Sequence, residues 1–113
     1  MDLWLDLQTQ LDKLNNSIET LKQSGREYAE AERDYKILLR QECLKLRNEG
    51  LAVGLIDKTC YGIPSVADAR CQRDIKEALY KANLEAINVY KLNIKIIQNQ
   101  IDKEMTTSDT QRF

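Results

Sequence analysis

The sequence predicts an all-α protein: an antiparallel hairpin of two long helices, joined by a short structured corner, that assembles into a helical bundle. Two observations lead to this prediction. Long segments on both sides carry apolar residues at helical spacing, and residues 50–64 between them hold three of the four glycines and the only proline. We place the helices at 2–49 and 65–105, within a single hairpin domain over 1–105, and a disordered tail at 106–113.

The first helix is predicted from an a/d heptad stripe that begins at Trp4. Apolar residues then recur at steps of three and four, as they do in a helix that packs along one seam. The stripe continues through Leu7, Leu11, Leu14, Ile18 and Leu21, and the same register reaches Tyr28 and Tyr35 but weakens at Glu32 and Glu42. We therefore expect both tyrosines in the core. Gly25 interrupts the stripe, and glycine costs about 1 kcal/mol relative to alanine inside a helix. The unchanged register favours one continuous helix over two shorter ones, with a kink at Gly25 left open.

The corner is predicted to form a short helical turn between the two long helices. Gly50 suits the C-cap of the first helix, and Ser65 suits the N-cap of the second, with Pro64 ending any earlier helix. The Gly-Ile-Pro segment of the corner resembles part of a helix-turn-helix. Its spacing is one residue too long, however, and Asp57 stands where that turn needs a small residue. These departures argue against DNA binding.

The second helix carries two apolar stripes that together cover a wide part of its circumference. One stripe is Cys71, Ile75, Ala78, Leu79, Ala82, Ala86 and Val89, and the other is Tyr80, Ile87, Tyr90, Ile94, Ile97 and Ile101. A helix this apolar packs against more than one neighbour, and a lone two-helix hairpin buries little surface. We therefore predict a homo-oligomer, most simply a two-fold dimer that forms a four-helix bundle. A larger ring or a complex with a host protein would cover the same surface. The predicted interface residues are Trp4, Leu7, Leu11, Ile87, Tyr90, Ile94, Ile97 and Ile101. For Trp4 we favour a core position at the end of the bundle over the alternative, an exposed anchor for a partner.

The composition argues against several functions. The chain contains no histidine, which removes serine–histidine catalysis, histidine-ligated zinc and the Glu-x-x-His motif of di-iron bundles. We therefore expect no enzyme activity, no cofactor and no metal site. The net charge of −1 creates no field that would attract DNA or an acidic membrane. No apolar run approaches the roughly 20 residues that span a bilayer.

The cysteines and the N-terminal segment predict a cytoplasmic protein with reduced thiols. The three cysteines are an odd number without CxxC spacing, and the N-terminal segment is acidic where a signal peptide would be basic. We expect Cys43 and Cys71 to be small apolar fillers near the helix seams, and Cys60 to be exposed in the corner. A disulfide between two of the three is the alternative.

Basic and tyrosine residues near the corner form the candidate ligand site. A guanidinium group can donate two parallel hydrogen bonds to a phosphate, and a tyrosine ring can stack on a nucleobase, so together they suit a phosphate-bearing or nucleotide ligand. The candidates are Arg40, Arg47, Lys58, Tyr61, Arg70 and Arg73. The alternative is a solvated, salt-bridged helix face, because acidic residues alternate with the bases over residues 25–50.

Several segments between residues 25 and 104 share a pattern with known proteins. They are Ala29–Tyr35, Leu46–Gly50, Val53, Leu55-Ile56, the turn at Gly62, Arg73-Asp74, Glu77-Ala78, Tyr80 and Glu85–Asn88. Together they resemble a family of small all-helical proteins encoded in the early regions of phages and prophages of Gram-positive bacteria. The chain departs from that pattern at Ala52, where a proline is expected, and at Cys60-Tyr61, where smaller or basic residues are expected. The resemblance implies a phage origin and a helical hairpin.

Two functional hypotheses follow from this phage setting, both in the cytoplasm of the host bacterium. The first is a non-catalytic counter-defence protein that acts as a helical homo-oligomer and inhibits a bacterial immune system. It would sequester a nucleotide signal, such as a cyclic nucleotide, or bind an immune protein directly. The second is a coiled-coil adaptor in phage replication, recombination or assembly.

Overall fold

The computed structural model describes residues 2–111, which form three helices. The helices are α1 over Leu3–Asn48, α2 over Val53–Tyr61 and α3 over Pro64–Gln111. No strand occurs in this part of the chain, so the predicted all-α class is confirmed. Among the same residues, none of the three helices has an apolar window long enough to cross a bilayer.

The chain divides into two compact units. The central unit is Gln23–Lys81, and the terminal unit combines the described residues of 1–22 and 82–113. α1 and α3 each contribute to both units, whereas α2 belongs wholly to the central unit. The antiparallel hairpin and its assembly into a bundle remain predictions.

The core of the central unit is a cluster of Tyr35, Cys60 and Val66, one residue from each helix. Cys60 and Val66 are fully buried, and Tyr35 is 5% exposed, which confirms its predicted core position. The partly buried residues around this cluster are Leu38, Leu39, Cys43, Leu46, Ile63 and Ala69. Full burial of an aliphatic or aromatic side chain contributes about 1.5–3 kcal/mol. The cluster therefore holds α2 against residues of both long helices in this unit.

α1 continues through Gly25 as a single helix. Gly25 faces Tyr80, since a Cβ atom added to the glycine would lie 3.3 Å from Cε2 of the tyrosine ring. The same ring pairs with Tyr28, with 5.9 Å between the two centroids. The missing side chain at Gly25 thus makes room for the ring of Tyr80 and its pairing with Tyr28.

Gly50 ends α1 in a Schellman motif, as its C-cap position in the sequence predicts. Its φ of 90° lies in the left-handed region that favours glycine. The backbone N–H of Leu51 donates to the carbonyl of Leu46, and the N–H of Gly50 donates to the carbonyl of Arg47, each at 3.1 Å. These two bonds satisfy carbonyls that the helix end leaves without partners. The chain then enters α2 after only a few residues.

α3 begins at Pro64 and not after a cap at Ser65, so the predicted N-cap is wrong. Proline has no backbone N–H and its φ is already helical, which makes the first helical position the place where it is tolerated best. The carbonyl of Ile63 accepts the N–H of Ala67 at 2.9 Å and starts the helical bond pattern. Only Gly62 and Ile63 separate α2 from α3. Most of the corner is therefore helical.

The C-terminal part of α3 differs from the predicted disordered tail. The helix runs six residues beyond the predicted end at residue 105, to Gln111. Thr106 and Thr107 each donate a side-chain hydroxyl to the carbonyl four residues earlier, at 2.9 Å. The sequence from 106 to 111 is polar but contains no glycine or proline, so nothing local breaks the helix. Residues 112 and 113 of the predicted tail lie outside the described range.

In the terminal unit, a side-chain bond joins the two helices. The amide Nδ2 of Asn93 in α3 donates to Oε1 of Gln10 in α1 at 3.2 Å. Ile87 and Ile101 of the same unit are buried. At the start of α1, Oδ1 of Asp2 accepts the N–H groups of two following residues, both at 3.1 Å, and so caps the helix.

Candidate binding site in the central unit

A cleft of about 340 Å³ lies between α1 and α2 in the central unit. α1 supplies one wall through residues spaced by three, four and seven positions, which places them on one helical face. α2 supplies the opposite wall. The lining residues are Arg40, Cys43, Leu44 and Arg47 from α1, and Val53, Ile56 and Asp57 from α2.

The cleft combines an aliphatic wall with two positive charges on α1 and one negative charge, Asp57, on α2. Ile56 is buried, while Leu44 and Val53 are exposed large aliphatic residues. Arg40 and Arg47 are seven residues apart on α1, which corresponds to about 10 Å along the helix axis. None of the seven lining residues carries an aromatic ring. The geometry therefore suits a ligand with an apolar centre and two separated anionic groups.

The two arginines of the cleft are available for a ligand. Neither Arg40 nor Arg47 forms an ion pair within the described part of the chain, and neither does Asp57 on the opposite wall. Other cations of the central unit are neutralised, for example Arg33 by Asp34 at 3.1 Å. An unpaired guanidinium keeps all of its donors for a carboxylate or phosphate.

The structure divides the six predicted ligand residues. Arg40 and Arg47 line the cleft, but Lys58, Tyr61, Arg70 and Arg73 do not. The Arg70 guanidinium lies 5.7 Å from the centre of the Tyr61 ring. Arg73 lies 4.6 Å from the ring centre of Tyr35, and Lys58 is exposed at the end of α2. Two of the predicted arginines therefore stack on tyrosines of their own chain.

Arg73 is held in place by two neighbours. Its Nε and Nη2 atoms both donate to Oδ1 of Asp74, at 3.1 and 2.9 Å, while its guanidinium covers the buried ring of Tyr35. The hydrogen bond to Asp74 raises the pKa of Arg73 above its ordinary value. Cation–π pairs of this kind contribute about 0.5–2 kcal/mol, with the larger values for desolvated pairs. Arg73 therefore has a structural role in the central unit.

A second groove of the central unit is acidic at its rim. It has a volume of about 440 Å³ and is lined by Glu27, Glu30, Ala31, Asp34, Ala69, Gln72 and Lys76. Lys76 donates to Oε2 of Glu27 at 3.2 Å, and this hydrogen bond lowers the pKa of the glutamate. The acidic residues of the described chain do not converge into a group that could hold a metal ion. We therefore interpret this groove as a salt-bridged surface and not as a ligand site.

The predicted interface residues have different environments in the structure. Ile87 and Ile101 are buried within the chain itself, on the inner face of α3 in the terminal unit. The half-buried ones are Leu7, Leu11, Tyr90, Ile94, Ile97. Trp4 is 66% exposed. The described conformation thus leaves Trp4 as the most accessible of these residues, and the stripe that was expected to meet another copy faces largely inward.

A different apolar row on α3 is exposed, and only its first residue, Val89, belongs to one of the two predicted stripes. Val89, Leu92 and Ile96 are 51%, 57% and 48% exposed. Their spacing of three and four places them on one face, opposite the buried isoleucines. The heptad extends to Glu85 on one side and Lys103 on the other. In the sequence, the row could have been recognised as a heptad repeat of apolar residues that ends in an acidic residue on one side and a basic residue on the other.

The environments of two cysteines are the reverse of the prediction. Cys60 is fully buried and its Sγ donates to the carbonyl of Leu39 at 3.5 Å, whereas Cys71 is exposed. The reason is that α2 turns the end of the corner inward onto α1, and that Cys71 lies on the outer face of α3. Cys43 is partly buried, as expected of a filler next to the seam.

The buried thiol predicts a pH-dependent stability. Burial raises the pKa of Cys60 from 9.0 to about 11, with a smaller effect from the neighbouring Cys43. Between these values the unfolded chain has released the thiol proton and the folded chain still holds it, so the free energy of unfolding falls as the pH rises. Below pH 9 the thiol is protonated in both states and its full contribution is present.

Urea denaturation of the protein and of a Cys60→Ala variant checks this pH dependence. The stability difference between the two proteins should shrink as the pH rises from 9 towards 11, because only the wild type carries the buried thiol. Cys71→Ala removes an exposed thiol and should leave the pH dependence of the wild type unchanged. A difference between wild type and Cys60→Ala that is the same at both ends of the window would contradict the prediction.

Comparison of the chain with models of protein families, with curated proteins and with solved structures finds no match. The resemblance to early phage proteins therefore stays a prediction. In the described part of the chain, the central unit has a cleft with two unpaired arginines, and α3 carries an exposed apolar row.

Proposed function

We propose that the protein is a non-catalytic binding protein that captures an acidic helical segment of a partner protein in the Arg40–Arg47 cleft. The observation that carries this proposal is the pair of arginines without ion-pair partners in the described chain, set about 10 Å apart beside an aliphatic wall. Acidic residues seven positions apart on a partner helix have the same separation. An apolar side chain between them would pack on Leu44 and Val53, in the helix-in-groove mode of recognition.

A protein segment fits the cleft better than a nucleotide does. Binding of a nucleobase commonly uses a stacking ring, and no ring lines this cleft. The rings of Tyr35 and Tyr61 are each covered on one face by an arginine of the same chain. The aliphatic wall instead suits leucine, isoleucine or methionine. Nucleotide sequestration is therefore the alternative function, and a cyclic dinucleotide serves as the competing ligand in the binding experiment.

In the phage setting that the resemblance implies, the protein would act in the host cytoplasm as a counter-defence protein. It would bind an acidic segment of a bacterial immune protein and block its activity by occupancy. This role requires no chemistry from the chain, in keeping with the absence of histidine. The charges and the aliphatic wall of the cleft support binding of an acidic segment. That the bound partner is an immune protein rests on the resemblance to phage proteins.

A peptide titration tests the proposed binding. The probe is a fluorescein-labelled helical peptide with two glutamates seven residues apart and a leucine between them, and the readout is fluorescence anisotropy. We expect saturable binding that weakens with added salt, because exposed ion pairs are screened. Replacing both glutamates of the peptide with glutamine should weaken binding by about tenfold or more. Equal binding of both peptides would contradict the proposal, as would a rise in Tm with a cyclic dinucleotide in place of peptide binding.

A coiled-coil adaptor that pairs with itself is the second candidate, and the exposed row of α3 favours it. The a/d positions of this row are Glu85, Val89, Leu92, Ile96, Asn99 and Lys103. Two antiparallel copies centred between Leu92 and Ile96 would place each Leu92 opposite an Ile96. The same register would place each Glu85 opposite a Lys103. The register also places each Val89 opposite an Asn99. The row is therefore self-complementary in charge at its ends and in its central Leu92–Ile96 pairs, as a two-fold interface requires.

Sedimentation velocity over a range of protein concentrations tests this pairing. We expect a concentration-dependent dimer that Leu92→Glu converts to a monomer, because the substitution puts like charges next to each other at the centre of the interface. Gln98→Glu adds the same charge at an exposed position outside the row and should leave the dimer intact. Glu85→Lys should weaken the dimer, and adding Lys103→Glu should restore it. A wild-type protein that stays monomeric at the highest concentration would eliminate this candidate.

A further inference from the structure

Two cysteines of the central unit lie next to each other although they are 17 positions apart in the sequence. Sγ of Cys60 in α2 is 3.5 Å from the carbonyl oxygen of Leu39 in α1. In an α-helix that carbonyl accepts the backbone N–H of Cys43, so Cys60 contacts the helical turn that carries Cys43. Cys43 packs against the core cluster that contains Cys60.

The two thiols differ in their access to solvent. Cys43 lines the cleft between α1 and α2 and is partly exposed, whereas Cys60 is fully buried behind it. A dissolved oxidant can therefore reach Cys43 first. Cys60 then lies in the position of a resolving thiol, which attacks an oxidised neighbour. Cys71 is exposed on α3 and belongs to neither the cleft nor the core cluster.

We propose that Cys43 and Cys60 form an oxidisable dithiol that closes to a disulfide between α1 and α2 when the protein meets a peroxide. In the first step, the Cys43 sulfur attacks one oxygen of hydrogen peroxide, the O–O bond breaks, and a sulfenic acid and one water form. In the second step, Cys60 gives up its proton, its thiolate sulfur attacks the sulfenic sulfur, the S–O bond breaks, and the hydroxide leaves as water with that proton. Because burial raises the pKa of Cys60 to about 11, this step is slower at neutral pH than at alkaline pH. Two thiols are oxidised to one disulfide and one peroxide is reduced to two waters.

The bridge would fasten the corner to the end of α1. It would enclose residues 43–60 in a covalent loop that contains Gly50, the end of α1 and nearly all of α2. Closing such a loop limits the conformations of the unfolded chain, so the oxidised protein should have a higher Tm. A reducing agent should reverse the change, because thiol–disulfide exchange opens such bridges.

The same bridge would alter the proposed binding cleft. Cys43 would turn from the cleft wall towards Cys60, and α2 would be tied to α1 beside Leu44 and Val53. An effect of oxidation on peptide binding rests on the proposed function, whereas formation of the disulfide does not. Peptide mapping and the peptide titration therefore separate a failure of one proposal from a failure of the other.

Mass spectrometry of the full chain treated with hydrogen peroxide tests the dithiol. Trypsin releases the three cysteines in separate peptides, residues 41–45, 59–70 and 71–73, so each linkage can be recognised. We expect the intact mass to fall by two hydrogens and the first two peptides to be linked, with a rise in Tm that dithiothreitol reverses. Cys71→Ser should behave in the same way as the wild type.

Variants of the pair complete the test. Cys43→Ser changes a partly exposed residue and should fold, form no bridge and show no rise in Tm with peroxide. Cys60→Ala should trap the oxidised sulfur of Cys43 as a sulfenic acid that dimedone labels. The proposal is overturned if the wild type shows Cys43 oxidised to sulfinic acid without a bridge, or if linkage occurs only through Cys71.

Discussion

Replacement of Tyr35 with alanine is expected to destabilise the protein by about 3–5 kcal/mol, the range for truncating a buried aromatic residue. The ring is 5% exposed and touches Cys60 and Val66 in the core cluster, so its removal leaves a cavity where all three helices of the central unit meet. It also removes the surface on which the Arg73 guanidinium lies at 4.6 Å. Urea denaturation followed by circular dichroism measures the loss.

Two control variants separate the core contribution of Tyr35 from a general effect on α1. Tyr35→Phe keeps the ring beneath Arg73 and should cost less than about 1.5 kcal/mol, as volume-conserving core changes do. Ile37→Ala truncates an exposed residue two positions away and should change stability by no more than about 0.5 kcal/mol. If Tyr35→Ala costs no more than Ile37→Ala, the cluster of Tyr35, Cys60 and Val66 is not the core of this protein.

Reversal of both cleft charges, Arg40→Glu with Arg47→Glu, should abolish binding of the acidic helical peptide. The loss of two exposed ion pairs, at about 1 kcal/mol each, corresponds to about 30-fold in affinity, and repulsion from the new carboxylates adds to it. Fluorescence anisotropy with the peptide measures the change. Neither arginine forms an ion pair in the described chain, so the substitutions break no salt bridge that supports the fold.

A matched control distinguishes a local effect of these charges from a general one. Lys45→Glu with Lys58→Glu makes the same change in net charge, in the same unit, at exposed residues that do not line the cleft. It should weaken peptide binding only slightly. A peptide with lysines in place of its glutamates should in turn bind the Arg40→Glu, Arg47→Glu variant. Equal losses in both double variants would show that binding depends on overall charge and not on the cleft.

The candidate site could be predicted from the sequence only in part. Arg40 and Arg47 were identified because they lie near the corner, and the structure places both in the cleft. Arg70 and Arg73 had the same local signal, but they stack on Tyr61 and Tyr35. A basic residue on a helix face looks the same in the sequence whether it faces a ring of its own chain or a ligand. The aliphatic wall from α2 was missed, since it exists only once α2 packs on α1.

The sequence by itself determines the helical class and the end of the first helix. Heptad spacing extends through Gly25 without a change of register, and Gly50 supplies the positive φ that ends α1. Both are local properties, because they depend on the spacing of neighbouring residues and on the backbone freedom of one glycine.

Only the tertiary structure decides which face of each helix is covered. Both stripes of α3 satisfy the helical period, yet Ile87 and Ile101 of one stripe are buried while Leu79 and Val89 of the other are exposed. Cys60 likewise turns into the core because α2 rests on α1. Periodicity shows that a helix has an apolar face but not what packs against it, since that depends on the position of another helix.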